Sequence, residues 1–428
     1  MKKRPEKNKD TWYKLDNAAN IYPAVTTNKN TNVFRLSCHL NETVDGLLLQ
    51  DAADIAIKSF PDFRVVMRRG LFWHYLEGTQ LTPVVMPEAG RPCARNYYIS
   101  DKCLLFSITY FQSRINLEVF HVIADGTGAM ELLRAIVYHY LVLSHPHTPL
   151  PAPDIAPPSL RKEDSFQHYY NPQDKARPRG ERAYTLAGTS FGYNTIGIIE
   201  AQVSTRDFLA LAKSKGVTAT AYIAALLIYS IYRELLPKRL ASRTIGAIIP
   251  VDLRGRFVSE TTRNFFGVAN VSYNFSRQPD GFDDVLRSVS EQMTQKLRTE
   301  SLAGRFNYTM GVQKNIFARF TPLLIKNFVL NRAYQQSERA VTCAVSNMGR
   351  IPMPEALAPY IDRFCCLLNP TPLHKLKICV CSYGDKFVLS FTSNIAETKA
   401  QKHFIRHLTD NGLDVCITCN GVYDDEIL

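Results

Sequence analysis

The chain has 428 residues, 46% of them hydrophobic, enough to bury a large core across two or three domains. Lys and Arg number 51 against 39 Asp and Glu, a net charge of +12 that favours anionic partners such as nucleic acid, a membrane surface or a phosphate-bearing small molecule. No apolar run reaches transmembrane length and the N-terminal MKKRPEKNKDTWYKL lacks the apolar core of a signal peptide, so the ten cysteines are expected as free thiols in a cytoplasmic protein.

Residues 1–14 carry Lys2, Lys3, Arg4, Lys7, Lys9 and Lys14 and are expected to form a frayed basic arm. A nucleic-acid reader would need interleaved aromatics and a recognition fold, which are lacking, so that partner class is excluded. A strand is expected near Val33–Leu40, a helix across Val44–Ser59 and a strand near Phe63–Arg69. Leu104–Phe111 and Ile115–Val122 form a predicted hairpin around Gln112–Arg114. Alternation puts Ile115, Leu117, Val119 and His121 on one face of the second strand. Gly126, Thr127 and Gly128 break that pattern, and Met130, Leu133, Val137, Tyr140 and Leu141 then follow a helical stripe. Helices mixed with hairpin-linked strands predict a mixed α/β layer rather than a parallel doubly wound sheet.

From Pro146 to Pro178, both included, the chain holds eight of its 23 prolines, which resist both helix and sheet. The chain therefore divides into an N-terminal subdomain at 1–150, a proline-rich crossover at 151–189 and a C-terminal subdomain at 190–428. The second half is expected to open with a strand near Tyr193–Val203, a helix across Arg206–Gly216 and a strongly apolar helix at Thr218–Leu235. Strands follow at Ile245–Val251 and Val268–Phe275, and a helix at Asp283–Glu300. Thr321 is a predicted N-cap with Pro322 at the first helical position. The helix it starts is apolar almost all round (Leu323, Leu324, Ile325, Phe328, Val329, Leu330), which predicts burial in preference to contact with lipid. Leu376–Tyr383 and Phe387–Ser393 form a hairpin through Gly384-Asp385, and a helix near Thr398–Asn411 stops at Gly412.

Three motifs compete for the chemistry. Gly188-Thr189-Ser190-Phe191-Gly192 matches G-x-S-x-G, but a nucleophile elbow needs a strand, a tight turn and a helix, and here a strand continues instead. Cys416-x-x-Cys419, Cys379-x-Cys381 and Cys365-Cys366 lack the paired spacing of a zinc site, so no metal is expected. No Walker loop, G-x-G-x-x-G or H-E-x-x-H occurs. The third motif is His121-x-x-x-Asp125-Gly126, which puts a half-buried imidazole at a strand end before a glycine turn. Such a group can face a cavity and titrate near neutral pH, as a general base requires. Arg64 sits on the apolar stretch FRVVM, where an arginine needs either a partner or an escape to solvent.

The histidine motif resembles that of the chloramphenicol-acetyltransferase-like superfamily of CoA-dependent acyltransferases, closest to its alcohol acetyltransferase branch, which is related to condensation domains. Phe60-Pro61-Asp62-Phe63-Arg64, Pro250-Val251-Asp252-Leu253-Arg254-Gly255-Arg256, Asn264-Phe265-Phe266-Gly267 and Ser346-Asn347-Met348-Gly349 are similar to further motifs of that superfamily, in the same order. Phe120 stands where condensation domains usually carry a second histidine. The resemblance implies two α/β (α+β type) subdomains of mixed sheet and helices in a V-shaped pseudo-dimer, with His121 in a tunnel at their interface.

It also implies transfer of an acyl group, acetyl in the first instance, from acyl-CoA as co-substrate to a small-molecule acceptor alcohol or amine. His121 would be the base in a direct ternary-complex reaction, Asp125 and Gly126 structural, and Arg64 the ion-pair partner of Asp125. Ser346, Asn347 and Asn264 are candidates for the oxyanion site or the tunnel wall, while no CoA-binding residue is assigned. Two alternatives stay open: a condensation-type enzyme that takes its thioester from an acyl carrier protein, and a non-catalytic binding member of the fold. From Thr294 to Ala340 eight basic residues face only Glu300 and Glu338, a bias that fits a solvated face, CoA phosphates, an acyl carrier or an anionic membrane surface.

Overall fold

The computed structural model describes residues 12–95, 97, 102–146, 162–174, 176, 181–192, 194–234 and 244–423. Most of the expected basic arm and the heart of the proline-rich crossover lie outside the described residues.

In the first half the elements are β1 (Trp12–Lys14), α1 (Tyr22–Val25), β2 (Val33–Leu40), α2 (Gly46–Ala56), β3 (Val65–Arg69), β4 (His74–Gly78), β5 (Val85–Pro87), β6 (Phe106–Phe111), β7 (Arg114–Phe120) and α3 (Gly126–Ser144). After α4 (Ser165–His168) the second half continues with β8 (Gly197–Ser204), α5 (Thr205–Ser214), α6 (Ala219–Arg233), β9 (Thr244–Asp252) and β10 (Phe266–Asn274). Four helices follow: α7 (Phe282–Lys296), α8 (Thr299–Lys314), α9 (Ile316–Phe320) and α10 (Leu323–Glu338). The chain ends through β11 (Cys343–Arg350), β12 (Ile361–Leu368), β13 (Leu376–Tyr383), β14 (Lys386–Ser393), α11 (Lys399–Asp410) and β15 (Cys416–Cys419).

These elements build the expected mixed α/β architecture in two lobes. The first lobe holds a five-stranded sheet in the order β12-β2-β7-β6-β5, antiparallel except for the parallel β5–β6 pair. The apolar alternation of β7 buries Ile115, Leu117 and Val119 completely, and α2 and α3 cover that face. The second lobe holds a seven-stranded sheet in the order β10-β9-β11-β13-β14-β8-β15, parallel at β9–β11 and β11–β13 and antiparallel elsewhere. Its central helix is α6, apolar on all sides and buried throughout Ala221–Ile228. A small sheet, β1-β4-β3, completes the fold, and so Trp12–Lys14, expected to fray, are held as a strand against β4.

The lobes are interleaved. β12 lies late in the chain yet pairs with β2 of the first lobe, and Cys366 on β12 forms a disulfide with Cys379 on β13. That pair departs from the expectation of free thiols, which holds at the other eight cysteines. The segment 253–265, between β9 and β10, reaches from the second lobe onto the start of α3.

Two local expectations are corrected. Thr321 does not cap α10: it closes the end of α9, its hydroxyl donating to the Phe317 carbonyl in the first turn of that helix, and Pro322 stands at the N-cap position of α10. The apolar face of α10 is not buried, since Leu324, Ile325, Phe328 and Val329 all face outward. Among the described residues no single helix is long and apolar enough to cross a membrane.

Candidate active site

β7 ends at Phe120, and His121 follows in the turn that leads to α3. Its backbone N–H donates to the Asn32 carbonyl at 2.9 Å, which fixes the residue beside β2. The imidazole stacks on Tyr22 with ring centroids 4.7 Å apart, and meets Phe34 edge-on and Phe266 at a tilt. Phe266 belongs to the second lobe, so the ring is enclosed from both sides of the interface. Burial in this aromatic surround lowers its pKa below the ordinary imidazole value, although the Asp125 charge and the bond to Asn264 oppose the shift.

The tautomer follows from its neighbour. Asn264 is almost fully buried, and its Nδ2 donates to Asp16 Oδ2 at 3.1 Å and to the His121 carbonyl at 3.0 Å. Its Oδ1 therefore faces His121 Nδ1, at 2.9 Å, and accepts the proton that Nδ1 must carry. A flipped amide would set its oxygen against a carboxylate and a carbonyl. The lone pair of the neutral ring is thus on Nε2. Asp16 is itself held in place by the Ala19 N–H at 2.7 Å, and its burial pushes its pKa up to about 6, with Arg263 pulling the other way. Asp16, Asn264 and His121 form one hydrogen-bonded chain. Asn264, a candidate for the oxyanion site or the tunnel wall, is hydrogen-bonded to the imidazole. Asp16 went unnoticed because it lies in a polar stretch without periodicity.

Asp125 caps α3: its Oδ1 accepts from the Gly128 N–H at 2.9 Å. The expected ion pair with Arg64 does not form. Arg64 donates from Nη2 to Gln80 Oε1 at 3.0 Å. The partner of Asp125 is Arg254, whose Nη1 and Nη2 reach Oδ2 and Oδ1, both at 3.0 Å. The Phe265 N–H adds a bond of 2.8 Å to Oδ2. Arg254 also donates to the Thr261 and Arg263 carbonyls and to Asp252, so its guanidinium holds the 253–265 segment together while clamping Asp125. Burial works against that charge, but Asp125 and Asp252 outweigh it and raise its pKa. From the FPDFR stretch it is Asp62, not Arg64, that reaches the interface, where it accepts from the Thr262 hydroxyl.

The glycines divide their work. A Cβ at Gly126 would come within 2.7 Å of the Met348 sulfur, the far part of a flexible side chain. A Cβ at Gly128 would fall 1.9 Å from the Thr262 carbonyl oxygen, which is backbone. Close approach of the lobes thus depends on Gly128 more than on Gly126. Met348 brings the Ser346-Asn347-Met348-Gly349 stretch of β11 against the motif turn. There Asn347 donates to the Thr220 hydroxyl at 3.0 Å and accepts from the Gly349 N–H at 2.8 Å, while Ser346 is partly exposed.

A cavity of about 990 Å³ opens beside this region, bounded by Leu15 and Asn20 on either side of Asp16 and by Trp73, Lys314, Arg319 and Phe320; His121 is not among its lining residues. Elsewhere, His39, Glu200 and Cys365 bring one ligand atom each to within 4.8 Å of one another, a grouping that cysteine spacing alone could not reveal. Arg363 stands 3.9 Å from Glu200 there, and burial together with Arg363 and Arg114 lowers the His39 pKa to about 3.

Residues 199–359 match the family model described as "Phthiocerol/phthiodiolone dimycocerosyl transferase C-terminus". No sequence among the curated proteins matches. Among solved structures, the chain is similar to polyketide synthase associated protein 5 from Mycobacterium tuberculosis, at 15% identity and a TM-score of 0.58 over 92% of this chain and 96% of that one. It is similar to the first condensation domain of the calcium-dependent antibiotic synthetase, at 13% identity and 0.60 over 96% and 100%. It is also similar to F. graminearum TRI101 complexed with coenzyme A and T-2 mycotoxin, at 8% identity and 0.59 over 95% and 99%. At such identities the likeness concerns the fold. The chain has the fold of the chloramphenicol-acetyltransferase-like superfamily, to which the condensation domains also belong.

Proposed function

We propose that this protein is a CoA-dependent acyltransferase that moves an acyl group, acetyl in the simplest case, from the thioester to an acceptor hydroxyl or amine. The observation that carries the reading is the chain from Asp16 through Asn264 to His121 Nδ1, which leaves Nε2 of a neutral imidazole as the only basic nitrogen of the ring. In this mechanism Nε2 takes the proton of the acceptor hydroxyl as its oxygen attacks the thioester carbonyl. The tetrahedral intermediate collapses, the C–S bond breaks, and the thiolate of CoA leaves and takes up the proton from the imidazolium. No acyl-enzyme is formed.

Asp16 and Asn264 are positioning residues in this scheme, and Asp125, Arg254 and Gly126 are structural. Asn347 is already committed to Thr220 and Gly349, so Ser346 is the better candidate for a donor to the developing oxyanion. The basic balance of the chain suits the phosphates of CoA. TRI101 was solved with coenzyme A, which supports the same donor here.

The test is thiol release from acetyl-CoA and longer acyl-CoAs against a panel of alcohols and amines. His121→Ala should lower turnover by roughly 10²–10⁴-fold with an unchanged thermal melt. Wild-type turnover in that variant would refute the mechanism.

A further inference from the structure

The outward face of α9 and α10 is apolar where a soluble surface should be polar. Phe317 is 81% exposed, Leu324 70% and Phe328 61%, with Ile325 and Val329 beside them. Leu71, 74% exposed, joins the same surface, because its carbonyl accepts from the Leu323 N–H at the start of α10. The spacing of Leu324, Ile325, Phe328 and Val329 keeps them on one helical stripe, which Arg332 continues. Contiguous exposed apolar surface of this kind marks a site of contact with another phase or molecule.

Charge selects the occupant. From Ser301 to Ser337 the chain has no acidic residue, and Lys314, Arg319 and Arg332 stand exposed around the apolar stripe. Arg305 and Lys326 are the exceptions: Arg305 donates to the Val268 carbonyl, and Lys326 turns inward over the Trp73 ring and donates to the Phe72 carbonyl, so it fastens α10 to the β3–β4 turn. A second copy meeting this face about a two-fold axis would set the same cations against each other. An anionic bilayer supplies both complements at once: acyl chains for the phenylalanines and phosphates for the lysine and arginines.

We infer that α9 and α10 form a membrane-docking surface that seats the protein on anionic lipid, with Phe317 and Phe328 inserted at the level of the headgroups. This inference is independent of the acyl-transfer reading.

The experiment is co-sedimentation of the full chain with phosphatidylcholine vesicles, with and without phosphatidylglycerol, at low and high salt. Wild type should sediment with the phosphatidylglycerol vesicles and be partly released by salt. Phe317→Ser combined with Phe328→Ser, and separately Arg319→Glu combined with Arg332→Glu, should each weaken binding about tenfold or more while melting like wild type. Wild type left in the supernatant with anionic vesicles would overturn the inference, as would variants that bind like wild type. A wild-type dimer in sedimentation velocity that the phenylalanine substitutions dissociate would assign the face to a second copy and overturn it too.

Discussion

Asp125 and Arg254, 129 positions apart, meet in a bidentate pair with both bonds at 3.0 Å, and they join the start of α3 in one lobe to the segment after β9 in the other. Removing Arg254 leaves the buried Asp125 carboxylate with only the Gly128 and Phe265 N–H donors, whereas removing Asp125 leaves Arg254 its pair with Asp252 and its two carbonyl bonds. Arg254→Ala should cost about 3–5 kcal/mol and Asp125→Ala less, because Arg254 keeps Asp252, both read from denaturant melts, and both should lower activity through the displaced turn. Arg64→Ala, which loses a contact with Gln80 near the surface, should cost under about 1 kcal/mol. Equal losses from Arg64→Ala and Arg254→Ala would contradict the pairing.

Asn264 acts on the rate through the imidazole. Asn264→Ala frees Nδ1 and lets the other tautomer form, which should lower kcat by about 10–100-fold with a smaller effect on KM. The bond from Nδ1–H favours the charged ring, so its loss lowers the His121 pKa further. The acid limb of the kcat profile should therefore move to lower pH in the variant. A fall in kcat with an unmoved limb would indicate general disruption of the site.

Asp16 gives the fold a pH dependence of definite sign. Its carboxyl titrates at about 6 in the native state against 3.8 as the ordinary value, because burial disfavours the charge. Between those values the native state holds a proton that the unfolded chain has released. The contribution is fully present below the lower value and is lost as pH rises through the higher one. Wild type should therefore gain up to about 3 kcal/mol relative to Asp16→Asn on going from about pH 7 to about pH 4. Parallel melts over that range would show that the carboxyl is not raised.

Gly128 and Gly126 should respond differently to alanine. Helix propensity favours alanine by roughly 1 kcal/mol at either site. At Gly128 the new methyl would strike the Thr262 carbonyl, and forcing the backbones apart should cost about 1–3 kcal/mol or more, a net loss in Tm. At Gly126 the Met348 side chain can swing aside, and the melt should stay within about 0.5 kcal/mol of wild type. The reverse order would mean that the seam between the lobes closes elsewhere.

Much of this was legible where a local pattern changes period. The shift from alternation in β7 to the helical stripe of α3 locates His121 at a strand end and Asp125 at a cap, because both positions follow from the chain's immediate neighbours. The partners were not legible. Arg64 and Arg254 each flank an apolar strand, and no spacing tells which of them lies beside Asp125, since the choice is made by how the 253–265 segment folds across the interface. The outward turn of Leu324 and Phe328 escaped for the opposite reason: apolar composition states a preference for burial but not whether this chain supplies the covering surface.

β12 has a consequence for how the protein is made. β2 gains its outer neighbour only when Ile361–Leu368 arrive, more than 300 residues after β2 itself. During synthesis the first lobe would wait with β2 as an open edge, a template for pairing with other chains. Closing so long a loop is also slow relative to local helix formation. Expression of the N-terminal half alone should thus give an incomplete sheet prone to aggregation, and a partner chain that supplies residues 361–368 in trans would be the natural remedy.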